Sequence, residues 1–91
     1  PLSKMQVTGK FSLTDAHHWI SACLPDVPQN VNQDDDDRHT LHFRSTFIGT
    51  SILIEMSKGS INVESDNLSV ITIIKDQLTQ IANQKKIILD I

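Results

Sequence analysis

The sequence predicts a two-layer α+β domain: an antiparallel sheet carrying two helices, in the order β-α-β-β-β-α-β, a platform-like arrangement. Three observations carry that expectation. Several stretches alternate apolar and polar residues, the mark of strands buried on one face. Two others repeat their apolar residues at helical spacing. With one apolar row per strand and one stripe per helix, each element has a single face to bury, and two layers bury them all. The chain has 91 residues, too few for two independent cores, so residues 1–91 are read as one domain.

Met5, Val7, Gly9 and Phe11 alternate with Gln6, Thr8 and Lys10, which predicts the first strand, weakened or bulged at Gly9. Ser12 stands three residues before Asp15, a helix start in which the acid also complements the helix dipole. Leu13, Ala16, Ile20, Cys23 and Leu24 follow at helical spacing, and Pro25 closes the element. Residues 25–38 hold Pro25, Pro28, four amides and the run Asp34 to Asp37, with only Val27 and Val31 apolar. Such a segment buries little, so an acidic, mobile loop is expected.

Alternation returns with Leu41, Phe43, Ser45 and Phe47 against His42, Arg44 and Thr46. Ile52, Ile54 and Met56 form the next row, opposite Glu55 and Ser57. Ser57-Lys58-Gly59-Ser60 reads as a hairpin turn in which Gly59 takes a positive φ, and Ile61 and Val63 open the following strand. Connections this short make the three strands antiparallel neighbours. Asp66 and Asn67 are two possible caps for a second helix, whose buried face holds Ile71, Ile74, Leu78 and Ile81, flanked by Val70 and Ala82. Ile73 lies about 120° from that face. Lys85 and Lys86 suit the negative pole of the helix. Ile87, Leu89 and Ile91 then alternate with Ile88 and Asp90, and a strand apolar on both faces is expected inside the sheet.

Composition removes several functions. Eleven acids against eight bases give a net charge of −3. Four of those acids are the aspartate run, so the rest of the chain is near neutral and offers no basic footprint for nucleic acid or anionic lipid. A single cysteine, Cys23, excludes an internal disulfide framework and fits a reducing, cytoplasmic setting. No apolar run exceeds three residues, as at Ile52–Ile54, so no membrane-inserting segment is expected. The chain starts on Pro1 and stops at Ile91 within a strand pattern, which reads as a piece excised from a longer protein.

The residues able to do chemistry form no recognisable set. His17 and His18 are adjacent on a helix, about 100° apart, and cannot face one metal together. Cys23 lies outside the four-residue spacing a helical zinc pair wants, and His39 and His42 lack partner ligands. An EF-hand loop begun at Asp34 needs Gly at its sixth position and Glu at its twelfth, but has His39 and Ser45 there. Cys23 sits on an apolar helix face, where a thiolate is disfavoured. No G-x-S-x-G elbow or phosphate-cradling glycine loop occurs. Asn67-Leu68-Ser69 matches a glycosylation sequon that a helix cap explains more simply. The expectation is no enzyme, no catalytic residue, no metal and no cofactor. Trp19 lies about 90° to one side of the first helix's apolar face and His17 about 70° to the other. An indole there either seals the edge of the core or stands beside a groove as an anchor for a peptide.

Two stretches carry a family resemblance. Gly9-Lys10-Phe11-Ser12-Leu13, then Trp19, then Cys23-Leu24-Pro25-Asp26-Val27-Pro28 resembles the platform domain of the seventh Bardet–Biedl syndrome protein family. So does Ser65-Asp66-Asn67-Leu68-Ser69, through Ile71, Ile74-Lys75-Asp76 and Leu78, to Lys86-Ile87. Together they span most of residues 7–91, lapsing over 28–38.

The resemblance implies a subunit of the BBSome, the coat-like complex that carries membrane proteins into and out of cilia. In that family a β-propeller, a coiled coil and an immunoglobulin-like ear precede the platform, and a helical region follows. Ear and platform together are similar to clathrin-adaptor appendages, whose platforms hold short peptides beside a tryptophan of the first helix. The polar neighbours that complete that pocket have no match here. The implied role is a non-enzymatic assembly domain packing against other BBSome subunits, the related second Bardet–Biedl protein first, and against its own ear. It would work in the cytoplasm, at the ciliary membrane and at the basal body. A peptide- or cargo-tail-binding platform using Trp19 and His17 is the rival within binding modules. A small metal-dependent enzyme using His17, His18, Cys23 or the aspartates is the rival from another class. Freed from its neighbours, the domain is expected to show an apolar patch and to pair through it.

Overall fold

A computed structural model describes residues 2–27, 32–35, 38–46, 49–85 and 88–90, with backbone only at 32–35 and Leu89. The elements are β1 (Ser3–Gly9), α1 (Leu13–Cys23), β2 (Asn32–Asp35), β3 (Arg38–Ser45), β4 (Thr50–Ser57), β5 (Ser60–Ser65), α2 (Leu68–Lys85) and β6 (Leu89–Asp90). The strands form one sheet in the order β2-β3-β4-β5-β1-β6. All pairings are antiparallel. The α+β class and the predicted succession hold, with one strand added.

Alternation decides which side of the sheet is covered. Met5, Val7, Leu41, Ile52, Ile54, Met56, Ile61 and Val63 are buried on one face. Against them α1 sets Ala16, Ile20 and Cys23, and α2 sets Val70, Ile71, Ile74 and Leu78. The two helices also touch each other. On the opposite face Lys4, Gln6, Arg38, His42, Arg44 and Ser51 are exposed. Lys4 pairs with Glu64 at 3.3 Å, directly across the strands, and Arg38 with Glu55 at 2.6 Å. Exposed pairs of this kind each contribute about 0–1 kcal/mol and serve mainly to keep that face polar.

The helix ends are held as the sequence requires. Ser12 Oγ accepts the Asp15 N–H at 3.0 Å, and the Leu24 N–H closes α1 on the Ile20 carbonyl at 3.0 Å. Of the two possible caps for α2, Asn67 is the one used: its Oδ1 accepts the Ser69 N–H at 2.9 Å. Asp66 instead accepts from the Thr50 hydroxyl at 2.7 Å, tying the start of β4 to the end of β5. Gly59 has φ +76 in a two-residue hairpin, as expected. The hairpin tip is also bonded to the end of β1 and the chain just beyond it: Gly9 N–H donates to the Gly59 carbonyl at 3.2 Å and Gly59 N–H to the Phe11 carbonyl at 3.0 Å.

Three expectations need revision. Residues 32–35, assigned to the loop, form β2 on the outer edge of β3, through Asn32↔Thr40 and Asp35↔Arg38 with a register shift between them. An edge strand is held by backbone bonds along one side and needs no apolar row, so periodicity carries no sign of it. Val27, placed in the same loop, is 4% exposed and belongs to the core; its N–H turns back onto the Leu24 carbonyl at 3.1 Å. Finally, β6 lies at the end of the sheet, paired with β1 alone through Thr8↔Asp90 and Gly9↔Leu89, not within it. Apolar content alone does not fix a strand's place in a sheet, which depends on the neighbour it pairs with. Ile88 is 88% exposed. Phe47, Lys86, Ile87 and Ile91, read above as strand and helix-end residues, lie outside the described residues, as do residues 28–31 and 36–37 of the expected mobile segment.

Candidate functional site

The first helix carries both residues singled out for binding, and the structure sends them to opposite fates. Trp19 turns inward at the flank of α1 and is 6% exposed. Its indole meets Phe11 edge to face, with ring centroids 5.1 Å apart and planes at 62°. That arrangement suits the opposite charge on ring edge and ring face. Phe11, read as the last residue of a strand row, lies just beyond β1 and lids the indole. A peptide anchor must present its ring to solvent, and this ring is spent on the core edge.

His17 leaves α1 on the other flank and is half-buried. It meets His39 of β3: the two Nδ1 atoms are 3.4 Å apart, the ring centroids 5.3 Å, and the planes are at 86°. Burial, then the neighbouring His39, then His18 hold the His17 pKa below its ordinary value of 6.5. The unfolded chain therefore takes up a proton before the folded one, and stability falls as pH drops through about 6.5 and below. Urea midpoints measured with a chelator at pH 7.5 and 5.5 should show that loss, and His17→Gln should reduce it.

Sequence spacing did not bring His39 to His17. The inner row of β3 was begun at Leu41, and one step of two further back places His39 on the same face, looking at α1. His18 is exposed, and His42 points to the open face. Neither joins the pair.

Cys23 is buried among apolar neighbours, and burial pushes its thiol up to about 11. Burial thus disfavours the thiolate, the nucleophilic form, near neutral pH. Because its pKa rises from 9.0 on folding, the folded state is penalised as pH climbs above about 9 towards 11. A thiol reagent such as DTNB at pH 8 should modify Cys23 only as fast as the domain opens. Rapid stoichiometric labelling of the native protein would contradict its burial.

Asp26, just past α1, accepts from the Ser45 hydroxyl at 2.8 Å and from Thr46 at 3.4 Å. Ser45 is fully buried, so this carboxylate fastens the chain after α1 to the end of β3. Among the described residues no three His, Cys, Asp or Glu side chains gather around a common point. A shallow, open depression of about 240 Å³ lies over β1 and β5, lined by Lys4, Met5, Gln6, Asn62, Val63 and Glu64. It falls below the usual range of ligand pockets, about 300–1,000 Å³, and its two charged lining residues, Lys4 and Glu64, are paired with each other. No helix among the described residues is long and apolar enough to cross a membrane.

The chain is 36% identical over 91 residues to the mouse protein "BBSome complex member BBS7", covering all of this chain and 12% of the relative. It is 34% identical over 80 residues to the Caenorhabditis elegans protein "BBSome complex member bbs-7", covering 88% of this chain and 11% of the relative. The chain thus spans only about an eighth of the length of the mouse relative. The family model "BBS7 platform domain" matches residues 1–91. With the family pattern met from end to end and both helices and the sheet in place, the chain belongs to the BBS7 platform domain family.

Proposed function

We propose that this chain is a non-enzymatic assembly domain of a BBSome coat subunit that takes part in the traffic of ciliary membrane proteins. The observation that carries the reading is the family match over residues 1–91. The naming of both relatives as BBSome complex members supplies the complex. Site geometry supports the non-enzymatic part: the thiol is buried and hard to ionise, and the indole is core. The partners are other BBSome subunits, foremost the related second Bardet–Biedl protein, together with the ear of its own chain. It works in the cytoplasm, at the cilium and basal body, reaching the membrane through the complex.

Cross-linking of the intact complex tests the reading. Lys4, Lys10, Lys58 and Lys75 are exposed and distributed over the domain. In the assembled BBSome, lysines on one side should cross-link to a second subunit or lose reactivity there. Cross-links confined to the chain's own neighbouring domains, with all four lysines as reactive as in the free subunit, would contradict it.

A further inference from the structure

The meeting of His17 and His39 is at most a long hydrogen bond, and its geometry also suits a shared ion. Nitrogen–nitrogen hydrogen bonds centre near about 3.0 Å, whereas these two Nδ1 atoms stand 3.4 Å apart. If the rings faced each other along one line, their centroids would lie about 5.7 Å apart; they lie 5.3 Å apart. The rings are thus tilted off the line joining their nitrogens. Two imidazole nitrogens, each about 2.05 Å from a tetrahedral Zn²⁺, are about 3.4 Å apart with centroids about 5.2 Å apart. Both distances match the bite of a zinc ion.

We propose that His17 and His39 form a two-histidine site for a borderline divalent cation, Zn²⁺ foremost, bound through both Nδ1 atoms with water in the remaining positions. Imidazole nitrogen suits Zn²⁺, Ni²⁺ and Cu²⁺ and not Mg²⁺ or Ca²⁺, which take oxygen. Both rings are half-buried, which leaves an open side for water. The ligands come from different layers, His17 from α1 and His39 from β3, so a bound ion fastens helix to sheet. Coordination at Nδ1 leaves each Nε2 carrying the proton, and two neutral imidazoles bind without net proton release when both start neutral. Two ligands make a weaker site than the three or four of established zinc centres, and it needs no further residue of this chain.

Titrating the 91-residue chain with ZnCl₂ while following the histidine ring resonances by ¹H–¹⁵N NMR decides the matter. Saturable one-to-one shifts at His17 and His39, sparing His18 and His42, are expected. Each of His17→Gln and His39→Gln should weaken binding at least about tenfold, His42→Gln should leave it unchanged, and MgCl₂ should move nothing. Shifts that follow His18 or His42, shifts that do not saturate, or undiminished binding in folded His17→Gln would overturn the assignment. Should a variant fail to fold, the wild-type resonances alone still identify the ligands.

Discussion

Replacing Trp19 with Ala should cost about 3–5 kcal/mol, the usual loss when a buried aromatic is cut back to a methyl. A domain of this size has about 5–13 kcal/mol in all. The variant should therefore melt at least about 12 °C below the parent, measured by circular dichroism. The cost has two sources. The indole is 6% exposed, so its area returns to water, and the edge-to-face contact with Phe11 disappears, leaving a second ring half-seated. Trp19→Phe keeps the ring contact and should lose far less. The same burial predicts the native fluorescence. The chain has one tryptophan and no tyrosine, so emission reports this ring alone. It should be blue and resistant to iodide. Red, quenchable emission together with a near-neutral Trp19→Ala would return the indole to the surface and restore the peptide-anchor reading.

Gly59→Ala comes next in size, at about 2–4 kcal/mol. Its φ of +76 is a conformation an alanine adopts at a cost of about 1–2 kcal/mol. A Cβ there would also meet the Gly9 carbonyl oxygen at 2.9 Å, closer than carbon and oxygen tolerate. That oxygen is backbone, so relief requires the hairpin tip to retreat from the end of β1. Both hydrogen bonds between Gly59 and the Gly9–Phe11 stretch would weaken with it. Gly49 offers the contrast: it has φ +78 but nothing within 4 Å of the position a Cβ would occupy. Gly49→Ala should therefore show the conformational cost without the collision, and urea melts of the two variants should separate the terms. Equal costs would mean that the hairpin tip is not held against β1.

The parts of the fold legible in the sequence are those where burial imposes a period. Ile52, Ile54 and Met56, then Ile61 and Val63, alternate because one face of the sheet is covered and the other is wet, and register follows from the tight turn between them. The helices read equally well, since Ser12 and Asn67 cap what the apolar stripes begin. What escaped has no such period. Strand β2 is held by backbone bonds to β3, and its acidic side chains carry no trace of the pairing. The position of β6 at the sheet's end depends on which neighbour is nearest, a tertiary fact. His17 and His39 are 22 residues apart and on different elements, so rules for metal spacing within one helix passed over both. Trp19 was half legible: its angle on α1 placed it at the core edge or a groove, and only Phe11 decides between them.

Assembly is the central claim, and the subunit composition of the purified BBSome tests it most directly. The full-length subunit would be expressed with and without the segment corresponding to residues 1–91, and the complexes compared by quantitative mass spectrometry. The account predicts that removing this segment depletes a neighbouring subunit, the second Bardet–Biedl protein foremost, while subunits held elsewhere remain. A complex with every subunit at parental stoichiometry, and ciliary membrane proteins transported as before, would contradict it.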